Sequence, residues 1–170
     1  MSDQPGTGTA IDTNTMTIIV TKGTLDWAYP PFILATTAAA MDLEVTMFFT
    51  FYGLGLLMKD LDPKVTTLGN PAMQMPLMGM HMGMPNLLAA LPGIETATTK
   101  MMKKLMRKKG IAPIRELREL ALEADVRLIA CQMTMGMFGY EAKDMIPGID
   151  FGGAATYIEA ATKSHINLFI

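Results

Sequence analysis

Apolar positions fall into two alternating patterns along this chain. Residues 16–22, MTIIVTK, are a short β-branched run closed by Gly23, as expected of a strand buried on both faces. Residues 32–41 are alanine-rich and favour helix. Asp26 is placed to cap that helix, and Pro30 and Pro31 suit its first turn. Residues 43–51, LEVTMFFTF, repeat the strand pattern, and 53–61 read as a short helix. Further on, 113–124 is an amphipathic helix, with Ile114, Leu117, Leu120 and Ala121 as its buried stripe and Arg115, Glu116, Arg118 and Glu119 in water. Then come a strand at 126–131 (VRLIAC), a helix at 134–143, a very short strand at 149–151, a helix at 154–163 and a closing strand at 167–170. The alternation predicts an α/β, flavodoxin-like three-layer fold with a five-stranded, mainly parallel sheet.

The rhythm breaks at 65–93, where Pro71, Pro76, Pro85 and Pro92 with Gly69, Gly79, Gly83 and Gly93 exclude a long regular element. The segment is nonetheless apolar, so it predicts a cover for something, such as a second subunit, rather than a linker. Residues 96–109 follow as an amphipathic helix with Met101, Met102, Leu105 and Met106 opposite Lys100, Lys103, Lys104 and Arg107. Together, about 65–110 read as a Met-rich irregular/helical insertion. It sits in a single domain at 16–170, preceded by a loose, polar tail at 1–15. This much apolar surface predicts a homo-oligomer. The cationic helix face adds peripheral membrane contact as an alternative to plain solvation.

Composition narrows the chemistry. The formal net charge is −2 over 170 residues, which offers no attraction to nucleic acid. No basic-then-apolar leader is visible, and the apolar stretches at 27–41 and 45–58 are shorter than a bilayer needs, so the expected compartment is cytoplasmic. One cysteine, Cys131, excludes a disulfide framework and a four-cysteine zinc site. Neither a dinucleotide fingerprint nor a Walker loop is present, which disfavours nucleotide cofactors.

Cys131 ends a strand and leads through Gln132, Met133 and Thr134 into a helix, whose first free N–H groups would stabilise a thiolate. The plainer alternative is a small buried hydrophobe. Of two histidines, His165 precedes the last strand, whereas His81 lies in the Met-rich stretch and could fold over the site. Met73, Met75, Met78, Met80, Met82 and Met84 with His81 keep a second alternative open, a non-enzymatic interaction or copper(I)-binding module. Methionine is also the common filler of adaptable surfaces.

Four blocks in order resemble the DsrE/DsrF-like sulfurtransferases, including the branch labelled peroxiredoxin-like: VTMFFTFYGLGLLMK (45–59), GMHMGMP with MMKKLMRKKG, IACQMTMGMFGY (129–140) and FGGAATYIEAATKSHINLFI (151–170). The resemblance covers nearly the full length. Trp27 and the Pro30, Pro31 pair depart from it, and neither a Thr-x-x-Cys motif nor a resolving cysteine supports peroxide reduction. The resemblance implies a homo-oligomeric sulfur carrier or sulfurtransferase in which Cys131, in a C-x-M-T-M pattern, holds sulfane sulfur as a persulfide. No metal or organic cofactor is implied. The implied partners are sulfur-donor and sulfur-acceptor proteins, such as a TusA-like carrier or a rhodanese, or low-molecular-weight persulfides. On that reading the N–H groups of Met133 and Thr134 hold the developing charge, and Thr50, Phe51, Gly53, Lys22 and Gly23, with His81, line the substrate pocket. It also requires the thiol to be ionised and reachable.

Overall fold

The computed structural model describes residues 12–68, 74–77, 80–83, 87 and 90–170. In chain order the main elements are β1 (Asp12–Val20), α1 (Leu25–Ala40), β2 (Glu44–Phe49), a 3-10 segment (Phe51–Leu57), β3 (Gln74–Leu77), β4 (Met80–Gly83), α2 (Ile94–Lys108), α3 (Ile114–Glu123), β5 (Arg127–Cys131), α4 (Gln132–Phe138), β6 (Asp150–Gly152), α5 (Ala154–Ala161) and β7 (Ser164–Phe169). Five strands form one parallel sheet in the order β6-β5-β2-β1-β7.

The short apolar runs become strands because both of their faces are covered. Met16, Ile18 and Val20 of β1, Val45, Met47 and Phe49 of β2, and Leu128 and Ala130 of β5 pack with Leu25, Ala28, Phe32 and Ala35 of α1 and Ala121 of α3. Met102 and Met106 of α2 lie against the same cluster. The alternate residues Phe48, Ile129 and Cys131, with Ile19, form a smaller cluster with Tyr157 and Ala161 of α5. Register aligns them, since Ile19 pairs with Phe48 and Phe48 with Ile129. The result is the expected three-layer α/β arrangement.

Several boundaries differ from expectation for local reasons. β1 starts at Asp12 rather than Met16, because Thr15 pairs with Glu44, Asp12 pairs with Ser164, and Asn14 Nδ2 donates to the Asp42 carbonyl at 2.8 Å. A ladder needs backbone partners more than apolar side chains. α1 starts at Leu25, so Pro30 and Pro31 lie inside it, and the carbonyls of Asp26 and Trp27 receive no helical N–H. Asp26 does not cap: its Oδ1 accepts the N–H of Thr66 at 3.0 Å. The expected helix at 53–61 is the tighter 3-10 segment, α4 stops at Gly139 (φ 71°), and β7 begins at Ser164.

Arg118 reverses its expected place. It is 3% exposed, whereas Leu120, assigned to the buried stripe, is 48% exposed. The Arg118 guanidinium donates through Nη1 to the carbonyls of Leu56 (2.9 Å) and Met58 (2.8 Å). Those carbonyls lie at the end of the 3-10 segment and just beyond it, where helical partners run out, and a long forked cation reaches them from α3. Within the Met-rich insertion, residues 74–77 and 80–83 are neither irregular nor helical but the antiparallel pair β3 and β4, with Met75 opposite Met82 and Pro76 opposite His81. Four-residue strands tolerate a proline that a helix would not. Among the described residues no helix is long and apolar enough to cross a membrane.

Candidate functional site

In an open parallel sheet the loops after the strands converge at the carboxyl edge. Here β1, β2 and β5 bring three such loops together. Cys131 is the last residue of β5 and the N-cap of α4. Thr50 follows β2, and Phe51 opens the 3-10 segment. The loops of β1 and β2 are knitted by Thr50 N–H to the Val20 carbonyl and Gly53 N–H to the Thr21 carbonyl, each 3.0 Å.

The Thr50 and Thr134 hydroxyls are 3.0 Å apart, and Phe51 N–H reaches Thr134 Oγ1 at 3.4 Å. Phe51 adopts φ 46°, in the left-handed region. A bulky residue there costs about 1–3 kcal/mol of backbone strain, a state that persists only where the surroundings fix it. The twist turns the Phe51 N–H towards the Thr134 hydroxyl.

Around the Cys131 sulfur two tendencies compete. Burial pushes the thiol pKa up. Against it, the Thr134 hydroxyl and N–H, the Thr50 hydroxyl and the Met133 N–H favour the thiolate, and together they hold the thiol below its ordinary value. All of these donors are neutral. A cysteine packed only among aliphatic groups would shift the other way.

The thiol is less open than the sequence suggested. Cys131 is 2% exposed, in the cluster with Phe48, Ile129 and Tyr157. Its neighbours on the outside are a different matter: Met133 is 74% and Tyr52 73% exposed, and Phe51 and Met137 are exposed as well. Tyr52 stacks on Phe138 with centroids 5.8 Å apart. These exposed apolar side chains belong to the 3-10 segment and α4, the two elements that follow Thr50 and Cys131.

The other sequence candidates fall in different places. Met133, Thr134, Thr50 and Phe51 join Cys131 directly. Gly23 and Gly53 act between loops: a Cβ on Gly53 would collide with the Val20 carbonyl, and one on Gly23 with the Tyr52 carbonyl. Lys22 is held over the Trp27 ring, its Nζ 3.1 Å from the centroid, so it serves α1 rather than the sulfur. His81 is in β4 opposite Pro76, and its side chain lies outside the described residues. Of the methionines in the copper(I) alternative, Met73, Met78 and Met84 lie outside the described residues, while Met75, Met80 and Met82 are described only as backbone. Among the described residues no three His, Cys, Asp or Glu side chains group as metal ligands.

Tyr157 was not anticipated. It is buried, lies against Phe48 with centroids 5.5 Å apart, and its hydroxyl is 3.4 Å from Thr17 Oγ1. Its place in a helix of the closing block could have marked it as the partner of the sheet's second face.

The sequence profile described as the DsrE/DsrF/DrsH-like family matches residues 12–169. A protein of Allochromatium vinosum named "Sulfur carrier protein DsrE2" is 55% identical over 155 residues, which cover 91% of this chain and 97% of that protein. The Bacillus subtilis protein YrkE, whose function its name leaves open, is 35% identical over 161 residues, 93% of this chain and 98% of its own. Among solved structures, the ychN protein of E. coli superposes with a TM-score of 0.56 at 11% identity, covering 92% of this chain and 99% of that one, a likeness of fold.

Proposed function

Since this chain belongs to the DsrE/DsrF/DrsH-like family, we propose that it is a sulfur carrier that holds sulfane sulfur on Cys131. The observation that carries this reading is the polar cluster where β2 and β5 end, with the Thr50 and Thr134 hydroxyls 3.0 Å apart beside a thiol held below its ordinary value. The name of its Allochromatium vinosum relative supports the same role.

The step is an exchange of one sulfur atom. The Cys131 thiolate attacks the outer sulfur of a donor persulfide R–S–SH; a new S–S bond forms at Cys131, the donor's own S–S bond breaks, and R–S⁻ leaves and takes up a proton. Unloading runs the same step in reverse towards an acceptor thiol. A thiolate with a pKa near ambient pH both attacks and leaves well, which suits a shuttle. Thr50, Thr134 and the Met133 N–H stabilise the charge on the attacking and the departing sulfur alike. Because Cys131 is covered, loading needs the short α4 or its exposed flank, Gln132 and Met133, to move aside.

Partners in this reading are proteins or small molecules carrying a persulfide or a thiol, and the exposed Phe51, Tyr52, Met133 and Met137 would meet them. Exposed Leu87, Leu91, Met101 and Leu105 support a homo-oligomer. Incubation with polysulfide, followed by mass spectrometry of the Cys131 peptide, should show the added mass of one sulfur. Cys131→Ser should abolish it, and a persulfide-free wild-type peptide would refute the reading.

A further inference from the structure

On the sheet face opposite Cys131, α1, α2 and α3 leave a cavity of about 200 Å³. Its apolar wall includes Leu25, Tyr29, Met106 and Ile114, and Tyr29 is fixed there by its hydroxyl, which donates to the Ala112 carbonyl at 3.0 Å. Lys103, Arg107 and Arg115 complete the lining, and no acidic residue does. Lys103 is paired with Asp62 at 2.7 Å. Arg107 and Arg115 form no ion pair among the described residues.

Like charges therefore gather along one rim of the cavity. Lys103 and Arg107 are one helical turn apart on α2, a like-charge spacing that destabilises. Arg115 also opposes the buried guanidinium of Arg118. One anion between Arg107 and Arg115 would offset both repulsions, and a guanidinium fork matches a carboxylate with two parallel hydrogen bonds. Size limits what lies behind the anion. A cavity of roughly 150 Å³ holds benzene, so this one takes a body of about one aromatic ring and excludes a nucleotide.

We propose that this cavity is a binding site for a small organic carboxylate with an apolar body, seated on Leu25, Tyr29, Met106 and Ile114 and held at its mouth by Arg107 and Arg115. It is separate from the thiol and goes beyond sulfur carriage: the wall belongs to the large core cluster, whereas Cys131 belongs to the cluster on the other face.

Calorimetric titration of the full chain with 3-phenylpropionate tests it. We expect saturable binding at one site per chain, about tenfold or more weaker for the uncharged 3-phenylpropan-1-ol and undetectable for acetate, which lacks the body. The R107Q/R115Q double variant, at two exposed positions, should weaken binding about tenfold or more, and Ile111→Trp, which crowds the mouth, should block it. Cys131→Ser should bind like wild type, so this site and the sulfur carrier reading stand or fall separately. Equal affinity for acid and alcohol, unchanged binding in the double variant, or no saturation would overturn the proposal.

Discussion

The hydroxyls of Thr50 and Thr134 lie 3.0 Å apart across the end of the sheet, one placed by β2 and the other by α4, and both help to hold the Cys131 thiol below its ordinary value. Thr134 Oγ1 accepts from Phe51 N–H at 3.4 Å while its own proton is free to turn towards sulfur. Such a chain strengthens each of its bonds.

Removing a hydroxyl should therefore raise the thiol pKa. A hydrogen bond to a charged group contributes about 1.5–3 kcal/mol, so Thr134→Val should slow alkylation at neutral pH roughly tenfold or more, with the pH–rate midpoint moved upward. Thr134→Ser should restore both. Iodoacetamide kinetics across pH measure this, and an unmoved midpoint would show that the hydroxyl does not reach the anion.

The lowered pKa also has a sign for stability. Folding holds Cys131 below the ordinary thiol value, whereas in the unfolded chain it titrates at about 8.5. The resulting stabilisation is present in full above that unfolded value and is lost as pH falls through the folded one. Wild type should thus gain on Cys131→Ser as pH rises from neutral to alkaline. Urea denaturation at several pH values reads the difference, and a gap independent of pH would contradict the donor set.

Coverage predicts a dependence on reagent size. With Cys131 at 2% exposure, modification of the native chain requires a local opening. A bulky aromatic disulfide should react roughly tenfold or more slowly than iodoacetamide, each rate normalised to the urea-unfolded protein. Equal normalised rates would mean that the sulfur is already open.

Arg118 should be costly to replace. Arg118→Leu keeps bulk but strands the Leu56 and Met58 carbonyls, for a loss of about 2–4 kcal/mol in urea denaturation. Since the same segment begins at Phe51, alkylation of Cys131 in the folded variant should also change. A loss below about 0.5 kcal/mol would indicate that water replaces the guanidinium.

Which features could be read in advance follows from what each depends on. The strand runs read at 16–22 and 43–51 and the passage from strand to helix at Cys131 depend on local pattern, and the structure has strands at Asp12–Val20 and Glu44–Phe49 and a helix from Gln132 there. Thr50 and Phe51 were placed by the rule that strand ends converge. Arg118 was not legible, because helical periodicity treats every arginine as solvated and contains nothing about two carbonyls 60 and more residues away. The contact of Lys22 with the Trp27 face was not legible because it is decided by the turn into α1. The early start of β1 was missed because its four polar residues are held by backbone pairing with distant strands.

The donors around Cys131 come from segments separated by up to 84 residues, the span from Thr50 to Thr134. A nascent or partly unfolded chain does not contain them together, and its sulfhydryl is an ordinary, mostly protonated one. Chemical competence therefore appears only in a finished molecule, which keeps labile cargo off chains still under assembly and makes loss of tertiary structure and loss of reactivity a single event.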